Sequence, residues 1–213
     1  ILCANVDEIN EFRVIGGEPF MHKEIEIFLD RLNNEPKVRK VVIYTNGTII
    51  PRPRHIPFLQ HGKILVLLTD YGNLSRHTDA VRACMDQHHI SYLSRPSDNW
   101  TDCAKIMKWN RPTEANLQIY RNCCAKNLFT MIGGKLFRCP FSANADRLRA
   151  IPDYQNDYIN LFQETDLRSA LLNFIYKKKL LESCDYCKGR FLNDVQIEPA
   201  VQTKKPLFYE KVR

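Results

Sequence analysis

Three aliphatic runs in the first half of this chain each stop at a glycine-containing turn, and that punctuation narrows the possible folds more than any other feature. Phe12-Arg13-Val14-Ile15 runs into Gly16-Gly17, Val41-Val42-Ile43-Tyr44 into Thr45-Asn46-Gly47, and Ile64 to Leu68 into Thr69-Asp70-Tyr71-Gly72. Near-continuous rather than alternating runs predict strands buried on both faces, as in parallel sheets. Between them, apolar residues repeat at helical spacing. Ile25, Phe28, Leu29 and Leu32 fall at i, i+3, i+4, i+7, and Val81, Cys84, Met85 and His88 repeat the pattern behind Ser75 as N-cap. A further strand is expected at Ile90 to Leu93. Strand, helix, strand at intervals of roughly 25 residues is the βαβ signature, whose crossovers are right-handed. Residues 1–112 are therefore expected to form an α/β unit, with the proline-rich stretch 51–57 as a loop holding a short helix.

Residues 113–213 change character. A helix-like segment from Thr113 to about Lys126 leads to two apolar segments around Gly133-Gly134, which predict a β-hairpin because its turn needs the positive φ that glycine adopts readily. Leu167, Leu171, Phe174 and Ile175 mark an amphipathic helix with Asp166 as N-cap. Cys184-Asp185-Tyr186-Cys187 follows, then a tail with a weak strand at Leu207-Phe208-Tyr209.

Composition excludes several classes. With 213 residues, 44% hydrophobic and 26% charged, the chain can bury a core and is not a disordered tail. No apolar run approaches the ~20 residues of a membrane span, and no signal-peptide core precedes the cysteines. Eight cysteines in this setting imply a reducing, cytoplasmic interior in which clustered thiols point to metal. The net charge of +7 suits an anionic partner without requiring one, and Lys177-Lys178-Lys179 and Lys204-Lys205 read as solvated charge. Nucleic-acid binding would want aromatics interleaved with the charge, a pattern missing here. His22, His88 and His89 sit at helix ends, where solvent or capping accounts for them.

Two constellations carry chemistry. Gly16-Gly17-Glu18-Pro19 sets two residues without Cβ beside a carboxylate at the carboxyl end of a strand, where ligands of parallel sheets bind. Such a place suits an ammonium better than a phosphate, since the lysine and helix donors of a phosphate site are missing. The second constellation is Cys124-x9-Gly134-x4-Cys139 with Cys184-x2-Cys187. A glycine hairpin lets a cysteine at its end meet one before it, and the later pair chelates. Four such thiolates suit tetrahedral zinc or an iron-sulfur cluster, and spacing alone does not choose between them. Cys123 is an alternate to Cys124. Cys84 lies on an apolar helix face as a core residue, and Cys103 falls in a polar loop that could line the substrate side of a cavity.

Gly-Gly-Glu-Pro followed by Tyr-Thr-Asn-Gly-Thr resembles the radical S-adenosylmethionine (radical SAM) enzymes. The cysteine spacing is similar to their SPASM and twitch extensions, which bind auxiliary 4Fe-4S clusters. The resemblance implies a partial parallel (β/α) barrel over 1–112 lacking its first strand, and a small Cys-rich extension over 113–213. It implies a methionine site at Gly16, Gly17, Glu18 and Pro19, ribose-side contacts from Asn46 and from Thr69 or Asp70, and cluster ligands Cys124 (or Cys123), Cys139, Cys184 and Cys187. Asn193 stands where a full SPASM extension continues with cysteine, so one auxiliary cluster is expected, as in twitch. The family's Cys-x3-Cys-x2-Cys loop, which holds the SAM-binding cluster, occurs nowhere in the chain. The chain opens on Ile1, so it is expected to be a fragment whose parent carries that loop upstream, and to be inactive alone. In the parent, the resemblance implies an oxidoreductase-type reaction: reductive cleavage of SAM to a 5'-deoxyadenosyl radical that abstracts a substrate hydrogen. The electron would come from a donor such as flavodoxin or ferredoxin, and the substrate would be a peptide, sugar or small molecule. The competing reading is a non-catalytic binding module, stabilised by zinc or an iron-sulfur cluster, that keeps a barrel remnant.

Overall fold

The computed structural model describes residues 1–103 and 106–201; the strand expected at Leu207-Phe208-Tyr209 and the pair Lys204-Lys205 lie outside the described residues. The chain divides into two compact units, Leu2–Asp98 and a second from Asn99 onward together with Ile1. No helix among the described residues is long and apolar enough to cross a membrane.

The first unit is α/β. Its strands β1 (Ile9–Val14), β2 (Val38–Thr45), β3 (Ile64–Asp70) and β4 (Tyr92–Pro96) form one parallel sheet in the order β1-β2-β3-β4. Helices α1 (Ile25–Asn34), α2 (Ile56–Leu59) and α3 (Thr78–Gln87) fill the crossovers, with a 3-10 turn at Pro53–His55 leading into α2. Right-handed crossovers between strands in sequential order place the helices on one face of the sheet. Val41, Ile43, Ile64, Val66 and Leu68 pack there against Leu29, Leu32, Leu59, Val81 and Met85. Each such fully buried aliphatic side chain contributes roughly 1.5–3 kcal/mol.

Burial on both strand faces is complete only in β2, where Val41, Val42 and Ile43 are all buried. In β3 the burial alternates: Ile64, Val66 and Leu68 are buried, while Leu65 and Leu67 are half-buried. Leu93, beside Leu67 in β4, is exposed. The runs are continuous in sequence because both faces carry aliphatic residues, but the helices cover only one of them. A second difference is the start of α3. Ser75 does not cap it; the helix begins at Thr78 behind His77, which makes no side-chain cap. The Ser75 hydroxyl instead donates to Asn46 O (2.5 Å) and accepts from Tyr71 N–H (2.8 Å), tying the ends of β2 and β3 together.

The second unit begins with β5 (Trp100–Thr101) and α4 (Thr113–Asn122). The expected hairpin is present: β6 (Thr130–Ile132) pairs antiparallel with β7 (Lys135–Phe137) across Gly133 and Gly134, both at positive φ (59° and 80°). A Cβ at Gly134 would stand 2.3 Å from the exposed Phe162 ring, which would have to swing away, and the positive φ itself favours glycine there. Helix α5 (Pro140–Arg147) follows, then β8 (Tyr158–Asn160), an unanticipated third strand that pairs with β7. Helix α6 (Leu167–Leu172) is capped by Asp166, whose carboxylate accepts from Ser169 N–H (3.1 Å), and passes into a π-turn over Asn173–Lys177. A 3-10 turn at Glu182–Tyr186 carries Cys184, and β9 (Gln196–Ile197) pairs with β5. Ala145, Ile151 and Tyr186 form a buried cluster in this unit.

Candidate functional site

Two places stand out, one in each unit. At the carboxyl end of the parallel sheet, the turn after β1 carries Gly16 to Pro19. Gly16 and Gly17 are exposed, neither has positive φ, and a Cβ on either would meet no atom within 4 Å. The fold itself therefore does not demand glycine at these positions. Gly47 is the contrast: it has φ of 70°, and a Cβ there would lie 3.0 Å from Thr78 Oγ1 and 3.1 Å from Leu68 Cδ1. That glycine serves the turn, as ordinary turn chemistry predicts.

Glu18 is 8% exposed and its carboxylate is taken up mainly by the protein. Phe20 N–H donates to Oε1 (3.1 Å), and the Thr45 hydroxyl (2.8 Å) and Asn46 N–H (2.9 Å) both donate to Oε2. A carboxylate offers about four acceptor positions, so one remains for a ligand. Burial pushes the Glu18 carboxyl above the usual range, against these three hydrogen bonds, which lower it. The Asn46 amide donates to Gly17 O (3.1 Å), while its oxygen accepts from Thr48 N–H and the Thr48 hydroxyl. Asp70 accepts from Gly72 N–H (2.8 Å), and the Thr69 carbonyl accepts from the Ser75 hydroxyl (3.4 Å). Asp70, Gly72, Ser75, Arg76, His77 and Thr78 are among the residues lining an open polar groove of about 450 Å³. The hydrogen bonds thus join the first motif to Asn46, and Asn46 through Ser75 to the end of β3.

In the second unit, five thiols line one cavity of about 300 Å³: Cys103, Cys123, Cys139, Cys184 and Cys187. Cys124 is exposed and does not line it, so of the adjacent pair the alternate, Cys123, faces the cavity. The remaining wall is largely apolar, with Ile106, Ile119, Tyr120, Phe141 and Leu181.

Each thiol is positioned by a local device. Cys123 ends α4, and Cys139 is the N-cap of α5, its Sγ accepting from Ser142 N–H (3.4 Å). Cys187 Sγ accepts from Gly189 N–H (3.3 Å). Gly189 has φ of 87°, and a Cβ there would stand 2.8 Å from the Phe191 ring and 3.0 Å from Ile119 Cγ2. Buried Asp157, in the 3-10 turn Gln155–Asp157 just before β8, accepts from Glu182 N–H (2.8 Å) and Ser183 N–H (2.7 Å), which fixes the turn carrying Cys184. Arg111 donates to the carbonyls of Cys184 (3.2 Å) and Cys187 (3.0 Å), and Asp185 accepts from Arg111 N–H (2.8 Å) and Asn110 N–H (3.2 Å).

Desolvation in this apolar wall, with the neighbouring thiols adding to it, raises Cys139 to about 11 and Cys187 to about 12, and lifts Cys184 further. A cation bound among them would reverse that, since metal ligation deprotonates thiols. Among the described residues, no three His, Cys, Asp or Glu side chains converge closely enough to hold one metal ion. The thiols stand instead around a space many times the roughly 30 Å³ share of one water. Soft sulfur donors, N–H groups aimed at two of the sulfurs and a dry wall fit an iron-sulfur group; one zinc ion would require the thiols to close in.

The parts that sequence reasoning missed are the supports. Asp157, Arg111 and the strand β8 gave no local signal, because their partners lie far along the chain. Gly189, two residues after a chelating pair, was the one accessible clue.

No family model matches the chain. Short-range similarity is found to GTP 3',8-cyclase of Stenotrophomonas maltophilia, strains R551-3 and K279a, each 39% identical over 44 residues. That stretch is 21% of this chain and 14% of the relative, so the chain spans about one seventh of the length of the curated relatives it matches. The relative is a radical SAM enzyme, and the similarity supports that family in general terms.

Proposed function

We propose that this chain is part of a radical SAM enzyme, with the first unit belonging to its barrel and the second holding one auxiliary 4Fe-4S cluster. The observation that carries the reading is the convergence of Cys123, Cys139, Cys184 and Cys187, from three separate segments, on one apolar cavity. The sequential parallel sheet of the first unit and the local similarity to GTP 3',8-cyclase also support it.

In this reading the bound cofactors supply reductive cleavage of SAM and hydrogen abstraction, with an electron delivered by a small redox protein in the cytoplasm. The chain contributes positioning. Gly16 and Gly17 leave their side open so that a ligand can reach the backbone, and the free acceptor position of Glu18 takes an ammonium hydrogen. Pro19 starts the 3-10 turn that follows, and Asn46 with Thr69 or Asp70 offers polar groups to a ribose. Around the cavity, Arg111, Asp157 and Gly189 hold the thiol-bearing turns, and the apolar wall excludes water.

Anaerobic purification with iron, sulfide and zinc analysis tests this. About four irons and four sulfides per chain from this region support it; zinc without iron overturns the cluster. The second reading, a metal-stabilised binding module, draws on Glu18, since a pure scaffold would also need that carboxylate tied into the fold. Equilibrium binding of SAM to the intact parent separates the two, because a scaffold would bind none.

A further inference from the structure

The charge environment of the thiol cavity contains a cation that the proposed function leaves unused. Arg138, immediately before Cys139, is 6% exposed, and among the described residues no carboxylate pairs with it. Its Nη1 donates to the carbonyls of Phe174 (2.5 Å), Ile175 (3.0 Å) and Lys178 (3.2 Å), its Nη2 donates to Asn127 Oδ1 (2.7 Å), and its buried Nε has no partner. The rings of Tyr120, Phe129 and Phe174 surround it, with the guanidinium carbon 5.8, 5.5 and 5.9 Å from their centroids. Carbonyl dipoles at a helix end and aromatic faces offset part of the cost of burying this charge, but none of them carries a compensating negative charge. Guanidinium does not lose its proton in a protein, so the charge persists.

The compensating negative charge would come from a group bound in the thiol cavity. Arg138 directly precedes Cys139, and Tyr120, whose ring centroid is 5.8 Å from the guanidinium carbon, lines the thiol cavity together with Cys123, Cys139, Cys184 and Cys187. Four thiolates around an iron-sulfur group would leave the assembly anionic, and in an apolar site a nearby fixed charge acts with little screening. We propose that Arg138 is the built-in counter-charge of the thiol cavity and sets the reduction potential of the iron-sulfur group held there. The inference rests on the cluster reading above. Adding an electron raises the negative charge of the group, so a fixed cation favours the reduced form and keeps the potential higher than it would otherwise be.

The test is a redox titration of the intact protein, followed by electron paramagnetic resonance, with iron and sulfide measured on each sample. Asn127→Asp is the leading variant, because it places a carboxylate on the guanidinium without removing any Arg138 hydrogen bond. Arg138→Met removes the charge and Arg138→Lys keeps it. The expected result is full iron content with a potential shifted to more negative values in Asn127→Asp and Arg138→Met, and a near wild-type potential in Arg138→Lys. An unchanged potential in iron-loaded Asn127→Asp overturns the inference, as does an equal shift in Arg138→Lys and Arg138→Met. If Arg138→Met fails to fold, Asn127→Asp and Arg138→Lys still decide. A wild-type protein that binds no iron refutes the cluster reading itself and the inference with it.

Discussion

The two candidate sites are built on opposite principles. The turn at the end of the parallel sheet is a backbone site: residues 16–19 lie within one turn, the space over two glycines is open, and short hydrogen bonds through Glu18 and Asn46 hold the strand ends together. The thiol cavity is a side-chain site, assembled from residues spread between Cys103 and Cys187 and closed by an apolar wall. A site of the first kind depends on what is absent, a Cβ above the ligand. One of the second kind depends on every support being in place, since the thiols arrive on several segments far apart in sequence.

The largest effect expected from this contrast is at the cavity. Cys184→Ala removes one of the proposed ligands, and iron content should fall to a small fraction of wild type while the turn at residues 16–19 is untouched. Full iron retention in that variant would break the ligand assignment. Next comes Glu18→Ala, which leaves the Asn46 and Phe20 N–H groups and the Thr45 hydroxyl without their acceptor. A loss of about 3 kcal/mol in the first unit is expected, measured by denaturant unfolding, because hydrogen bonds to a charged acceptor contribute about 1.5–3 kcal/mol each and are not additive. A ligand-binding defect in Glu18→Ala is therefore entangled with folding, and Gly17→Ala is the sharper probe.

Gly189→Ala should cost about 2 kcal/mol, from a strained φ and a Cβ pressed onto the Phe191 ring, and should loosen the hydrogen bond to Cys187. Gly17→Ala should change stability by less than about 0.5 kcal/mol, since its Cβ would enter open space at an ordinary φ. If the turn cradles a ligand, that same variant should weaken SAM binding in the intact protein at least tenfold. Unchanged binding would reduce the Gly-Gly pair to a tight turn.

The smallest effect is a pH dependence. The Glu18 carboxyl is raised by burial, so the folded protein binds a proton there more tightly than the unfolded chain. Between the unfolded value and the raised folded one, stability contributed at this position falls as pH rises, and it is flat below that window. Unfolding curves of wild type and Glu18→Gln across mildly acidic pH should diverge in that direction; parallel curves would contradict it.

Much of the first unit was legible because its signals are local. The runs ending at Gly16, Gly47 and Gly72 locate β1, β2 and β3, and the helical spacings locate α1 and α3. Ser75 misled because serine before an apolar repeat is an ordinary cap signal, while here its hydroxyl serves a tertiary link to Asn46. In the second unit the hairpin and the Asp166 cap were legible for the same reason: turn conformation and capping depend on a few adjacent residues. The choice between Cys123 and Cys124 was not, since adjacent residues leave a helix end about 100° apart and only the surrounding packing decides which points inward.

By itself, then, the amino-acid order determined the main strands and helices of the first unit, the glycine turns and the pool of thiols, because dihedral preference and hydrophobic period are properties of short segments. Tertiary structure alone decided that Cys123 rather than Cys124 lines the cavity, that Cys103 joins it, and that Asp157 and Arg111 support its turns. It also decided that a buried guanidinium stands beside the ring of Tyr120, which lines the cavity. Those outcomes depend on which distant segments share a desolvated space. Burial and electrostatics act through space rather than along the chain.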